Sequence, residues 1–250
     1  MADAPILLEA REVTVRFGGL TAVDAVSMQL RAGELVGIIG PNGAGKTTFF
    51  NAVSGVVAST SGHLFAEGVD LTGRGPHLYA AHGIARTFQT PRVMGDMTLT
   101  DNVRFGMEFA GRHREPIAGL RSEHEILDML GLASLADRPA SEVTPSQQRL
   151  LEIGMALGTR PRVLLLDEVA AGLTEAEVDA MARRIRRLRD EHGLTVVWIE
   201  HAVTTLLKYV ERVLVLHQGR KIADGTPGEV IRNAEVIEAY LGDEMVEVAQ

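Results

Sequence analysis

The chain contains no cysteine among its 250 residues. This absence excludes disulfide bonds, catalysis by a thiolate and metal sites with cysteine ligands, although it does not fix the redox compartment. The length is sufficient to bury a sizeable hydrophobic core, either as one large domain or as two tightly packed lobes.

Long hydrophobic runs are also missing. The longest apolar stretches, such as Val163–Leu166 and Val196–Ile199, are interrupted by charge well before the roughly 18 residues that a membrane-spanning helix needs. The first residues, Met1–Pro5, carry no basic stretch followed by an apolar run, so they do not resemble a signal peptide. The sequence therefore predicts a cytoplasmic protein that reaches a membrane only through another protein.

The chain has no excess of positive charge. It carries 25 Lys and Arg against 33 Asp and Glu, a net charge of −8, and an acidic chain is a poor general binder of nucleic acid. The arginines of 183–189 are spaced around apolar Ile185 and Leu188, which favours a solvated outer helix face over an anion-binding surface.

Short β-branched runs alternate with helical patterns, which predicts an α/β fold with a largely parallel core sheet. Residues 6–32 alternate apolar and polar positions around Gly18-Gly19 and predict an antiparallel β layer. The segments that begin at Thr174 and Thr226 predict capping boxes at the starts of two helices. Residues 90–158 are rich in helical pattern, including an apolar helix predicted over Leu150–Leu157. We therefore expect one domain over 1–250, in which a core of 1–89 and 159–250 carries an inserted helical lobe of 90–158.

A glycine-rich segment lies between a predicted buried strand, Glu34–Ile39, and a predicted helix that begins near Lys46. Glycines allow successive backbone N–H groups to point inward around phosphate oxygens, and the helix N-terminus favours an anion. The pattern predicts a phosphate-binding loop in which Lys46 bridges the β- and γ-phosphates and Thr47 binds Mg²⁺. The predicted nucleotide-binding residues are Gly40, Pro41, Asn42, Gly43, Ala44, Gly45, Lys46, Thr47 and Thr48.

Two acids, Asp167 and Glu168, follow the apolar run Val163–Leu166. Unpaired charge at the edge of a core is costly, so adjacent acids at this place favour a function. We expect Asp167 to bind Mg²⁺ and Glu168 to act as the general base that polarises the attacking water. The alternative is a solvated strand end with surface acids.

These elements indicate a P-loop NTPase and leave kinases, GTPases and motors open. Further segments resemble the ABC transporter ATPase family. Gln89 in Arg86-Thr87-Phe88-Gln89 stands where the family has its Q-loop glutamine, His201 follows Trp198-Ile199-Glu200 like the H-loop histidine, and Val143–Arg149 stands in the place of the LSGGQ signature. Phe17 matches the aromatic that stacks on adenine, with a buried core phenylalanine as the alternative.

The resemblance implies an ATP- and Mg²⁺-dependent ATPase that works as one half of a nucleotide-sandwich dimer. It implies that Gln89 senses Mg²⁺ and the permease, that His201 contacts the γ-phosphate, and that Thr144, Ser146 and Gln147 face nucleotide. The implied partners are a sister ATPase or a second copy of the chain, two permease subunits and, indirectly, a periplasmic or extracellular binding protein. The protein would lie on the inner face of the cell membrane and bind no nucleic acid.

Other segments look like the LivG-type subunits of branched-chain amino acid importers: Arg16–Val23, Phe88–Arg92, Ala170–Leu173 and Asn233–Gly242. Importers of urea, amides or aromatic acids could use a similar subunit, because the cargo touches the permease and the binding protein. A soluble ABC ATPase of translation or DNA repair is disfavoured, since those carry two fused units or a long coiled-coil insertion.

The sequence departs from the family pattern at Pro145, Ser146, Val169 and Thr174. Serine restricts a backbone that glycine would leave free, and proline removes a donor. These departures motivate a second interpretation, a nucleotide-binding subunit with little turnover.

Overall fold

The computed structural model describes residues 4–109, 115–200 and 203–247. Strands and helices alternate along the chain, as the sequence predicts. The strands are β1 Ile6–Phe17, β2 Leu20–Arg31, β3 Leu35–Ile39, β4 Ser61–Ala66, β5 Val69–Asp70, β6 Ile84–Arg86, β7 Val163–Asp167, β8 Thr195–Ile199, β9 Arg212–His217 and β10 Arg220–Gly225. The helices are α1 Lys46–Val53, α2 Pro76–Ala81, α3 Leu99–Glu108, α4 Glu123–Met129, α5 Pro145–Gly158, α6 Glu175–Asp190, α7 Val203–Tyr209, α8 Pro227–Val230 and α9 Ala234–Glu247.

The predicted antiparallel layer is confirmed. Within the described residues, β2, β1, β4 and β5 form one sheet in that order, and β1 pairs antiparallel with β2 down to Phe17 opposite Leu20. The connecting turn uses Gly18 at a φ of 58°, a backbone region that favours glycine. The inner face of this sheet packs on α1 through Phe49 and Phe50, both fully buried.

The second sheet has the order β10-β9-β3-β8-β7-β6 in the part of the chain that the structure describes. Its five strands from β9 to β6 run parallel, and β10 is antiparallel to β9. Strands β3, β7 and β8 are buried at every position, which explains their continuous apolar sequence. Because parallel strands share one carboxyl edge, the segments after β3, β6, β7 and β8 meet there.

Helices α3, α4 and α5 lie between β6 and β7 in the chain and share a hydrophobic cluster with one face of the sheet. Helix α5 begins at Pro145, five residues before the predicted apolar run at Leu150. A reciprocal capping box between Thr144 and Gln147, with proline at the first helical position, accounts for the earlier start. The division into a core and a lobe of residues 90–158 stays a prediction.

The arginines of α6 lie on an exposed face, where acids one turn away pair with them: Arg183 with Asp179, Arg186 with Asp190 and Arg187 with Glu191. This confirms the predicted solvated helix face. The predicted capping boxes at Thr174 and Thr226 are also present. No helix in the described ranges is long and apolar enough to cross a bilayer.

Gly106 provides a test of how α3 packs on α5. A Cβ atom at this buried helical position would overlap the backbone carbonyl oxygen of Met155 on α5, which cannot move away as a side chain could. We therefore expect Gly106→Ala to lower the free energy of unfolding by about 1–3 kcal/mol. At an exposed helix position the same change would stabilise the helix, because alanine is a better helix former than glycine. Urea denaturation measures the change.

Gly95→Ala is the matched control. A Cβ atom there would meet nothing closer than the Cβ of Ser141 at 3.6 Å, so we expect a change within about 0.5 kcal/mol. Equal stability of the two variants would contradict the close approach of α3 to α5.

Candidate active site

The glycine-rich segment forms the predicted loop between β3 and α1. Gly40, Gly43 and Gly45 adopt φ values of 154°, 74° and 93°, in the region that favours glycine. A side chain at Gly40 would also overlap the carbonyl oxygen of Leu216, and one at Gly45 that of Ala22. The N-cap residue of α1 is Gly45, which has no side chain to cap the helix, so the first backbone N–H groups of α1 can bind an anion.

Lys46 lies inside this loop and is 5% exposed. Its Nζ donates to the carbonyl oxygens of Gly40 at 2.6 Å and Pro41 at 2.9 Å. Burial lowers the pKa of the amine, and the negative charge of Glu168 opposes that shift. The ammonium group of Lys46, which these two backbone carbonyls hold in place, can bind phosphate oxygens.

A cavity of about 650 Å³ opens above the loop, and Phe17 forms one of its walls. Phe17 is 52% exposed, so the alternative of a buried core phenylalanine is wrong. Its stacking on adenine stays a prediction. The other lining residues are Leu20, Thr21, Ala22, Asn42, Gly43, Ala44, Gly45, Lys46, Thr47, Thr48, Glu168, Gln218 and Gly219.

Asp167, the last residue of β7, is 2% exposed. Its Oδ2 lies 3.3 Å from Nη2 of Arg86, and its backbone N–H donates to Thr87 Oγ1 at 3.1 Å. Arg86 is itself half-buried in a polar network, because its Nη1 donates to Asn51 Oδ1 and Ser54 Oγ. Asp167 is therefore a buried carboxylate at the edge of the sheet and not a surface acid at a solvated strand end.

Glu168 is 5% exposed and has a φ of 48°, a costly conformation for a residue with a Cβ. Two contacts hold this backbone: its N–H donates to Ile199 O at 3.0 Å, and its carbonyl oxygen accepts from Arg149 Nη1 at 2.9 Å. Gln89 Nε2 donates to Glu168 Oε2 at 2.6 Å. The structure thus brings together two site residues that the sequence separates by 79 positions.

The predicted signature residues lie at the start of α5 and not in the described cavity lining. Thr144, Ser146 and Gln147 form the cap and first turn of α5, and the described residues that line the cavity do not include them. Ser146 has helical backbone that needs no glycine, and proline at the first helical position removes no helix hydrogen bond. Ser146 also reaches the side chain of Glu177 on α6 and contributes to lowering its pKa, after the larger effect of Thr174.

His201 lies outside the described residues. The residue before it, Glu200, is 3% exposed and accepts from Ala170 N at 2.7 Å and Trp198 Nε1 at 3.0 Å. The end of β8 is therefore tied to the turn that follows Glu168.

Sequence reasoning gave no role to Arg86, Arg149, Glu152 or Gln218, which contact or flank the site. Arg86 is the last residue of β6, and the neighbouring strand β7 ends at the acid Asp167. A basic residue at this position could have indicated that Arg86 pairs with the acid. The other three reach the site from α5 and from the turn between β9 and β10, and nothing local in the sequence marks them.

Another cavity, of about 510 Å³, lies at the opposite end of the sheet. Its lining includes Arg160–Arg162 before β7 and His192–Leu194 before β8. It is separate from the phosphate-binding loop.

Comparison with known proteins places this geometry in a family. Residues 23–171 match the model of the ABC transporter family, and residues 220–246 match that of the branched-chain amino acid ATP-binding cassette transporter. The high-affinity branched-chain amino acid transport ATP-binding protein BraF of Pseudomonas aeruginosa is 39% identical over 95% of this chain and 98% of its own. The corresponding LivG protein of Escherichia coli K12 is 37% identical over the same shares.

Solved structures agree with this assignment. A crystal structure of the ADP conformation of an ATP-binding cassette of an ABC transporter superposes with a TM-score of 0.83 at 30% identity, covering 95% of this chain and 99% of that one. A nucleotide-free ATP-binding cassette gives 0.82 at 29% identity, over 94% and 98%. The chain therefore belongs to the ABC transporter family, as an ATP-binding cassette ATPase of the branched-chain amino acid type.

Proposed function

We propose that this ATPase powers the import of branched-chain or other hydrophobic amino acids. The names of the relatives and the C-terminal family model over residues 220–246 support this cargo. Subunits of this kind do not touch the cargo, so importers of urea, amides or aromatic acids are the alternatives that a transport assay must separate.

The contact between Gln89 Nε2 and Glu168 Oε2, at 2.6 Å beside the phosphate-binding loop, carries the proposal for hydrolysis. Glu168 lines the cavity and is the general base that accepts a proton from the attacking water. Lys46 and the loop N–H groups bind the β- and γ-phosphates and stabilise the charge that develops on them. His201 is proposed to contact the γ-phosphate.

The donor set at the sheet edge fits Mg²⁺. Thr47, Gln89 and Asp167 offer a hydroxyl, an amide oxygen and a carboxylate, the oxygen ligands that Mg²⁺ prefers. The described residues contain no group of three or more acids or histidines that could hold a metal alone. Proteins commonly bind Mg²⁺ through one or two carboxylates plus nucleotide phosphates, and Asp167 would supply the carboxylate. Bound there, it would neutralise charge on the phosphates.

The signature turn supports a sandwich dimer. Thr144, Ser146 and Gln147 form the cap and first turn of a 14-residue helix and are not among the described residues that line the cavity of their own chain. We infer that they complete the site of a partner, either a sister ATPase or a second copy, and that the partner's signature completes this site. The backbone at Pro145 and Ser146 is helical, so neither residue strains it, and this argues against a low-turnover subunit.

The remaining partners follow from the same assignment. Two permease subunits would bind at the helical lobe, where Phe105 and Phe109 are 44% and 71% exposed with ring centroids 4.7 Å apart. Exposed paired aromatics are typical of protein contacts. The ATPase would then lie at the cytoplasmic face of the membrane, and a periplasmic or extracellular binding protein would act through the permease. The net charge of −8 argues against nucleic acid.

The cargo assignment is tested by uptake. Cells that carry the chain with its permease and binding protein should accumulate labelled leucine, and cells with Glu168→Gln should not. Competition identifies the cargo: excess isoleucine should block the uptake, whereas urea and benzoate should not. Transport of urea or benzoate in place of leucine would reject amino acid import.

The general base is tested by Glu168→Gln, which keeps the shape but removes the carboxylate. We expect ATP binding to persist and turnover to fall by ~10²–10⁴-fold. The ATP-bound dimer should also persist on gel filtration. Glu175→Gln, an exposed acid in the first turn of α6, is the matched control and should keep its activity. Near-normal turnover in Glu168→Gln would place the base elsewhere.

Adenine stacking is tested by Phe17→Ala. Base–aromatic stacking contributes about 1–3 kcal/mol, so ATP affinity should weaken by about 5- to 150-fold. Phe109→Ala removes another exposed ring, which is not among the described residues that line the cavity, and should leave the affinity unchanged. Titration with a fluorescent ATP analogue measures both, and equal affinities would remove Phe17 from the site.

A further inference from the structure

The segment that carries Gln89 depends on side chains of the helical lobe for its position. Residues 87–97, all of them described, adopt neither helix nor strand. The N–H of Thr87 makes the last backbone hydrogen bond between this part of the chain and β7, to Leu165 O at 2.9 Å. Farther along, Met94 N–H donates to Asn102 Oδ1 on α3 at 2.8 Å. Gln89 therefore lies in irregular backbone between the sheet and α3.

Glu152 on α5 anchors this segment on both sides of Gln89. It is 5% exposed, and its Oε1 accepts from Phe88 N–H at 3.3 Å and from Arg92 N–H at 3.0 Å. One carboxylate oxygen thus closes a short loop around Gln89. The Arg92 guanidinium lies 4.1 Å from the Phe88 ring centroid, which packs the two anchored residues together.

A buried carboxyl at this place is costly. Burial raises the pKa of Glu152 to about 7, although the two backbone N–H groups and the charges of Arg149 and Arg92 act in the opposite direction. An apolar side chain of similar volume would avoid the cost. The presence of a carboxyl group at this buried position is therefore explained by the two hydrogen bonds that it accepts, and not by a gain in the stability of the fold.

The same helix contacts the proposed base. Arg149, one turn before Glu152, donates from Nη1 to Glu168 O at 2.9 Å. Helix α5 therefore holds the backbone around Gln89 and that of Glu168, and the two side chains meet at 2.6 Å. Its first turn carries Thr144–Gln147, so a rigid shift of α5 would move the signature turn and both anchors together.

We propose that Glu152 is a positioning residue for Gln89, which it holds against Glu168 and ties to the orientation of α5. The inference rests on the proposed function in that Gln89 and Glu168 act in ATP hydrolysis. Arg149 is the second anchor of the same unit.

Hydrogen exchange of the full chain tests the anchor without any need for activity. Glu152→Leu removes the acceptor, and the amides of the Thr87–Met94 peptide should exchange about tenfold faster or more. Glu152→Gln keeps an oxygen acceptor and should stay within about twofold of the parent. Ile153→Ala is the control for general loosening of α5, since Ile153 is 1% exposed in the same core; it should lower the Tm and leave that peptide unchanged.

Unchanged exchange in Glu152→Leu, or acceleration as large in Ile153→Ala, overturns the proposal. If Glu152→Leu fails to fold, Glu152→Met, which also removes the oxygen acceptor and keeps the length of the side chain, decides by the same criterion.

ATPase kinetics of the assembled transporter test the link to Gln89. Glu152→Leu should lower kcat about as much as Gln89→Ala does, with the KM for ATP within about twofold, and the double variant should lose nothing further. If the losses in kcat add up in the double variant, or if only the KM for ATP changes, Glu152 does not act by positioning Gln89. A parent transporter that hydrolyses no ATP would reject the proposed function, and the exchange result would still decide whether Glu152 anchors the segment.

Discussion

The parallel alignment of β6, β7, β8 and β3 is the constraint on which the site depends. Adjacent parallel strands end at the same edge, so the backbone hydrogen bonds of the sheet set the spacing of whatever follows each strand. The glycine-rich loop follows β3, Gln89 follows β6 by three residues, and Asp167 is the last residue of β7, with Glu168 directly after it. A change in strand order would separate all of these groups.

Buried charge is concentrated at this edge. Lys46, Asp167, Glu168, Glu152 and Glu200 are each 5% exposed or less. Such groups cost free energy unless hydrogen bonds and opposite charges compensate, and the compensation is visible in backbone carbonyls around Lys46 and Arg86 beside Asp167. We interpret the edge as a place where stability is given up for a preorganised array of charges aimed at phosphate.

Helix α5 contributes to this array through side chains that hold backbone groups of other segments and not through the cavity wall. Arg149 binds the carbonyl oxygen of Glu168, and Glu152 binds the backbone N–H groups of Phe88 and Arg92 on either side of Gln89. The described residues that line the cavity include none from the first turn of this helix. This arrangement suggests how contact at the signature turn could be communicated to Gln89 within one rigid element. The positive φ of Glu168 belongs to the same arrangement, because the Ile199 and Arg149 contacts hold it.

The glycine-rich loop between β3 and α1, the buried strands and the capping boxes at Thr174 and Thr226 could be predicted from the sequence, because each is encoded by neighbouring residues. The start of α5 was also encoded locally. The apolar run nevertheless predicts a start at Leu150, because proline is also typical of loops, whereas Pro145 is the first residue of a capped helix. Only the tertiary structure decided that Phe17 is exposed beside the loop, that Gln89 meets Glu168, and that Arg149 and Glu152 reach the site. The reason is physical: those contacts depend on which strands are neighbours and on how α5 packs across the sheet, and hydrogen bonds and burial between residues distant in the chain determine both.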